Sequence, residues 1–362
     1  MTAFVVAACR TAVVPRGGTF AGLSLSDLAV PVVQACLTDA GIAGAQVDEV
    51  VVSNALGGGG NVARLVSLAA GLPDRVAGLT IDRQCAGGLD AVLLARALVD
   101  SGAAEVVVAG GVESYSRRPL RFRTDPAGGA ALAYDRPAFT PWPDRDPEMH
   151  DAAAALAERL GITRAEQDAW AVNSHAKALR ADFAGEIVAL NGCDRDVFAR
   201  GLTLAVADRA KVLAGSVTMA TAAVAADAAA FVVVVSQARA AGLRRARIVG
   251  GVTRGGRPED PGLAPLVAMA EVLHRAGLTP RDLQVAEVME AYAVQALACI
   301  RGAGIDPARV NPGGGALARG HPIGASGAIL AVRLFHALRG GYGLAAIAAA
   351  GGIGTALLLH SD

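Results

Sequence analysis

CAGGLDAV at residues 85–92 leads into VVVAGG at 106–111, and GASGAILAV at 324–332 leads into IAAAGG at 347–352. Each pair reads as a glycine-rich turn, a helix, a strand and a Gly-Gly. The rest of the chain extends the pattern. Strands are expected at FVVAAC (4–9), EVVVSN (49–54), LTID (79–82) and EVVVAGG (105–111). Helices are expected at about 26–40, capped by Ser24 or Ser26 and stopped by Gly41, and from Cys85 to Asp100. The alternation returns with FVVVVS (231–236), RIVGGV (247–252), VAEVME (285–290) and two closing strands, with helices near 263–276, 292–303 and 324–339. Continuous apolar strands alternating with helices imply a parallel or mixed sheet covered on both faces. With the echo, they imply two related halves.

The segment from 112 to 225 breaks the alternation. It carries SYSRRPLRFRTDP and FTPWPDRDP, then helical patterns at about 149–160 and 164–184. It reads as an inserted loop-rich subdomain whose arginines face solvent or, less simply, an anionic ligand. The division expected is an N-terminal half over 1–238, with 112–225 inserted, and a C-terminal half over 239–362.

Composition narrows the function. Of 362 residues, 53% are hydrophobic and 18% charged, which excludes disorder and gives a large core. The 33 basic and 33 acidic residues balance, so no nucleic-acid partner is expected. The start has no basic leader and long apolar run, and the apolar windows near 217–235 and 343–359 are broken by Asp227 and a Gly-Gly pair. No signal peptide or membrane span is expected. Cysteines 9, 36, 85, 193 and 299 form no CxxC pair, which fits reduced thiols in a cytoplasm. No metal is expected.

Four constellations carry possible chemistry. In IDRQCAGGL (81–89) a strand ends, a cysteine follows and a helix starts beside two glycines. A helix N-terminus has unpaired N–H groups and partial positive charge, which lower a thiol's pKa and hold an oxyanion. Cys85 is therefore a candidate nucleophile, whereas Cys9 and Cys36 read as packed core thiols. In GGGALARGHPIGASG (313–327), His321 sits between Gly and Pro in a tight turn, unlike a core histidine. General base or oxyanion donor is its expected role. VMEAYA (288–293) places Glu290 at a strand end, where a partly solvated carboxylate is the plainer reading. AAAGGIG (348–354) is a turn whose N–H groups could complete an oxyanion hole, or simply reverse the chain.

In this order the motifs resemble the thiolase family. The Cys85 segment is similar to its nucleophile motif, AGGVESYS (109–116) to its Gly-Gly-x-Glu-Ser-x-Ser segment, and GHPIGASG (320–327) to its catalytic histidine motif. MEAY (289–292) is an imperfect match to Asn-Glu-Ala-Phe, and TRAEQDAWAVNSHAKA (163–178) resembles the loop domain. The resemblance implies an α/β fold of five layers, two βαβαβαββ halves with an inserted loop domain, in a homodimer or homotetramer. It implies acyl transfer from a coenzyme A thioester to Cys85, activated by His321, with no permanently bound cofactor and no assigned cofactor-binding residues. It implies an oxyanion hole from the N–H groups of Cys85 and Gly352, with Glu290 in support. Three positions depart from the pattern: Ala348 stands for the second cysteine, Met289 for the asparagine, and Ala223 for a serine that contacts coenzyme A. The expected function is thus a thiolase-like acyltransferase. Its second step, C–C bond formation included, does without a second cysteine base. The alternatives are an ordinary acetyl-CoA C-acyltransferase with a rerouted proton path, and a non-catalytic subunit that binds acyl-CoA or a partner.

Overall fold

The computed structural model describes residues 2–362. In chain order, the strands that build the main sheet are β1 (Ala3–Thr11), β2 (Glu49–Ser53), β3 (Leu79–Ile81), β4 (Val106–Glu113), β5 (Ala226–Ser236), β6 (Ala246–Gly255), β7 (Leu283–Val288), β8 (Gly341–Ala349) and β9 (Ile353–Ser361). Their lateral order is β7-β8-β9-β6-β1-β5-β4-β2-β3. The run β2-β4-β5-β1 in the first half is matched by β7-β8-β9-β6 in the second. The two meet where Phe4 and Val5 of β1 pair antiparallel with Arg247 and Ala246 of β6. The echo seen in the sequence is therefore a repeat of topology.

Helices α1 (Leu25–Asp39), α2 (Val62–Ala69), α3 (Gly87–Asp100), α4 (Met149–Leu160), α5 (Arg164–Arg180), α6 (Ala264–Arg275), α7 (Ala293–Ala303) and α8 (Ile323–Ala337) complete the architecture. Ser24 caps α1 in a reciprocal capping box with Asp27. The strand sequences explain the layering, because alternate residues point to opposite faces. In β5, Ala228, Ala230, Val232 and Val234 join the central core, while Ala229, Phe231, Val233 and Val235 join an outer one. In β9, Leu357 and Leu359 face the centre and Ala356 and Leu358 the opposite outside. Helices α3 and α8 fill the centre, α1 and α2 cover one outer face, and α6 and α7 cover the other. The result is five layers, α-β-α-β-α, as the family resemblance implied.

The small-residue composition has its sharpest use in the central layer. A Cβ on Gly88 of α3 would lie 2.3 Å from the Ala328 nitrogen of α8, and one on Gly327 would lie 2.4 Å from the Leu89 nitrogen. The two helices touch backbone to backbone, which only glycine permits. Cys85 and His321 precede these two glycines by less than two helical turns. The crossing therefore sets both side chains at one end of the central layer.

Candidate active site

Cys85 lies in a single 3-10 turn, Gln84–Ala86, between β3 and α3. Gln84 has φ +49°, in the left-handed region, and Asp82 accepts from its backbone N–H at 2.8 Å. This sharp turn aims the thiol into the molecule. Gly87 is required behind it, since a Cβ there would meet Ser53 Oγ at 2.2 Å.

His321 arrives from the other half. Gly320 has φ +115°, and the His321 N–H donates to the Val224 carbonyl at 2.7 Å. Pro322 then caps α8. The imidazole Nε2 lies 3.1 Å from Cys85 Sγ. On its far side, Nδ1 lies 2.6 Å from Ser326 Oγ, which is also 3.1 Å from the Pro322 carbonyl oxygen. A hydroxyl has one proton. Given to Pro322, it leaves a lone pair to accept from Nδ1–H, and Nε2 is then bare toward the thiol.

Glu113, at the end of β4, locks this loop. Its carboxylate accepts from the N–H groups of Ala55 and Gly324 at 3.0 Å each, from that of Leu56 at 3.3 Å, and from Asn54 Nδ2 at 2.9 Å. The AGGVES segment thus contributes a carboxylate that positions the histidine turn, a role its sequence alone did not disclose.

Electrostatics differ from the helix-terminus expectation. Burial pushes the Cys85 thiol up to about 12, against the downward pull of the backbone N–H groups of Cys85 and Ala350. Burial also pushes His321 down to about 4. The resting pair is a neutral thiol beside a neutral imidazole, so the thiolate forms only as its proton moves to Nε2.

The second backbone N–H that acts on the sulfur is that of Ala350. Strand β8 ends at Ala349, so the first residue of the turn, Ala350, is the one that faces the sulfur. Gly352 lies at the far end of that turn. Its φ is +76°, and its carbonyl accepts from the Gly256 N–H at 2.7 Å.

Glu290 is buried outside the cavity. It accepts from Trp170 Nε1 at 3.1 Å, Ser174 Oγ at 2.7 Å and Asn311 Nδ2 at 2.8 Å, and so ties α5 to the second half. Met289 is core, with its N–H on the Ala346 carbonyl at 2.9 Å. Ala223 and Ala348 do line the cavity.

That cavity encloses about 470 Å³ and has Cys85 and His321 in its wall. Much of the remaining wall is apolar, including Leu156, Ala291 and Ile323. No arginine of the 117–123 cluster lines it, and neither Cys193 nor Cys299 reaches it. The Cys299 thiol instead donates to the Gly262 carbonyl at 3.2 Å. Among the described residues, no cluster of three metal-ligating side chains occurs, and no helix is long and apolar enough to cross a membrane.

A cysteine and a histidine 3.1 Å apart between duplicated α/β halves suggest a class, and the comparisons agree with it. The family model described as thiolase, N-terminal domain, matches residues 3–238, and that described as thiolase, C-terminal domain, matches residues 243–361. This chain belongs to the thiolase family. It is 40% identical to the Bacillus subtilis protein YhfS, over 99% of each chain. It is 39% identical to the acetyl-CoA acetyltransferase of Cupriavidus necator, over 98% of each. The Acat5 thiolase of Ascaris suum, solved with coenzyme A, superposes with TM-score 0.93 at 28% identity, over 100% of both chains. The Bacillus anthracis acetyl-CoA acetyltransferase gives 0.93 at 32%, over 100% of this chain and 99% of the other.

Proposed function

We propose that this protein is a thiolase-type acyltransferase that moves an acyl group from a coenzyme A thioester to Cys85 and on to an acceptor. The observation that carries the reading is the 3.1 Å approach of His321 Nε2 to Cys85 Sγ in the cavity wall. His321 takes the thiol proton as sulfur attacks the thioester carbon. The N–H groups of Cys85 and Ala350 hold the oxyanion. The imidazolium then protonates the departing coenzyme A. The Ascaris structure, which holds coenzyme A, supports that substrate class.

Ala348 and Ala223 have no titratable group and Met289 is packed in the core. The acyl group therefore passes to an acceptor that needs no cysteine base: a decarboxylating or pre-activated carbon, or a heteroatom. The 39% identity to the Cupriavidus acetyl-CoA acetyltransferase over nearly the full length favours a second reading, ordinary C-acyl transfer by another proton route. Homo-oligomers are part of the proposal. β3 is the sheet's terminal strand, and its Leu79 and the Leu65 and Leu68 of the adjacent α2 are exposed.

The test adds labelled acetyl-CoA and follows free coenzyme A. About one equivalent per active site is expected in a burst, absent in Cys85→Ala. An equal burst from both proteins would reject the proposal. Acetoacetyl-CoA cleavage at ordinary enzyme rates, about 1–10³ per second, would establish the second reading.

A further inference from the structure

The cavity carries a second polar pair. Tyr292 Oη lies 2.9 Å from His150 Nδ1, and the rings meet edge to face with centroids 5.6 Å apart. Both residues line the cavity that holds Cys85. They come from different elements and sit at different depths. Tyr292 immediately precedes α7 and is half-buried, its backbone fixed by a bridge to Ala222 and by the Ala293 N–H on the Thr221 carbonyl at 2.8 Å. His150 is in the first turn of α4 and is exposed at the mouth. The pair thus runs from the cavity interior to solvent.

Few other wall residues exchange protons. Ala223, Ala291, Ala348 and Ala349 do not. The amides of Gln84 and Gln295 are directed at Asp82 and Cys299. Tyr115, the other phenol, makes no hydrogen bond to a basic nitrogen among the described residues. Burial and the nearby Cys85 hold the Tyr292 phenol above its ordinary pKa. It therefore stays a neutral hydroxyl. In the tautomer that leaves His150 Nδ1 bare, the phenol donates to it, and its oxygen lone pairs are free to accept another proton.

Resting on the reading of Cys85 as acyl carrier, we propose that Tyr292 and His150 form the proton exit for the second half-reaction, with a hydroxyl or amine as the acyl acceptor. As the acceptor's oxygen or nitrogen bonds to the thioester carbon, the bond from that carbon to Cys85 breaks and its electron pair stays on sulfur. The acceptor's proton passes to Tyr292 Oη. Tyr292 gives its own to His150 Nδ1, and the imidazolium returns it to water. The Cys85 thiolate regains a proton from solvent through His321. A neutral phenol backed by imidazole suits an O–H or N–H proton. It does not suit a C–H proton, whose removal needs a strong base and a donor for the enolate oxygen. The backbone N–H groups facing the sulfur are already committed to the thioester. Tyr292 is catalytic in this scheme, and His150 acts through it.

The experiment loads the full-length protein with labelled acetyl groups, removes free label, and adds glycerol, ethanolamine or acetyl-CoA. Release is divided by loading for each variant, so that damage common to both half-reactions cancels. Release to glycerol or ethanolamine is expected to fall about 10²–10⁴-fold in Tyr292→Phe. In His150→Ala it is expected to fall about tenfold or more, and added imidazole restores it, which a structural role would not produce. Release from Tyr292→Phe at the wild-type rate with every acceptor overturns the relay. Label appearing only in a C–C product with acetyl-CoA overturns the heteroatom acceptor. A wild-type Cys85 that takes no label removes the acyl-carrier reading, and the relay with it.

Discussion

Ser326→Ala removes the one partner of His321 Nδ1 and leaves Nε2 and Cys85 in place. Ser326 is 4% exposed in the first turn of α8, and its Oγ is 2.6 Å from Nδ1. Alanine fits the helix and creates no clash. It leaves a buried ring N–H without an acceptor, which costs about 1–3 kcal/mol. The cost is felt most when the ring becomes imidazolium, as sulfur attacks. It also removes the bias that keeps Nε2 bare. At about 1.4 kcal/mol per factor of ten, acylation of Cys85 slows about 5- to 150-fold. The assay is rapid quenching of the protein with saturating labelled acetyl-CoA, counting label on Cys85 against time. Thermal melting of the variant confirms that it is folded. Loading within about twofold of wild type in folded Ser326→Ala would refute the tautomer argument, because Nδ1 would then not need its acceptor.

The remaining predictions use the same geometry. The base form of His321 is the neutral ring, and burial takes its pKa from 6.5 to about 4. Acylation should therefore hold as pH falls through 6.5 and decline only toward about 4, and a break near 6.5 in the loading rate would contradict this. Gly88→Ala forces a Cβ against the Ala328 nitrogen at 2.3 Å. It should destabilise the fold by about 1–3 kcal/mol and slow loading, read from melting and burst rate together. Ala348→Cys places a thiol in the cavity wall. It should raise acetoacetyl-CoA cleavage by about tenfold or more if an acid/base is what this site lacks, and unchanged cleavage would count against that emphasis.

The duplicated fold was legible because its signals are local. Apolar runs such as FVVVVS and glycine turns such as CAGG report their own structure, and their repetition reports topology. The helix Val62–Ala69 was not read, since it is short and follows the glycines at 57–60. Cys85 and His321 were legible as odd residues in glycine-rich turns, though 236 positions separate them. Their ionisation was not. The helix start argues for a lowered thiol pKa, but burial is a tertiary property and it wins. The resemblance assigns a second N–H to Gly352, whereas the backbone N–H that acts on the sulfur is that of Ala350, which follows the end of β8. Glu113 and the His150–Tyr292 pair depend on contacts across 211 and 142 positions, which no local pattern carries.

The proposed chemistry turns on Cys85 Sγ as the atom that takes the acyl group. Intact-mass and peptide analysis of the protein after brief exposure to acetyl-CoA tests it directly. One acetyl group on the peptide containing Cys85 is predicted, formed far more slowly in His321→Ala and absent in Cys85→Ala. An unmodified Cys85, or an acetyl group elsewhere that survives Cys85→Ala, would contradict the account.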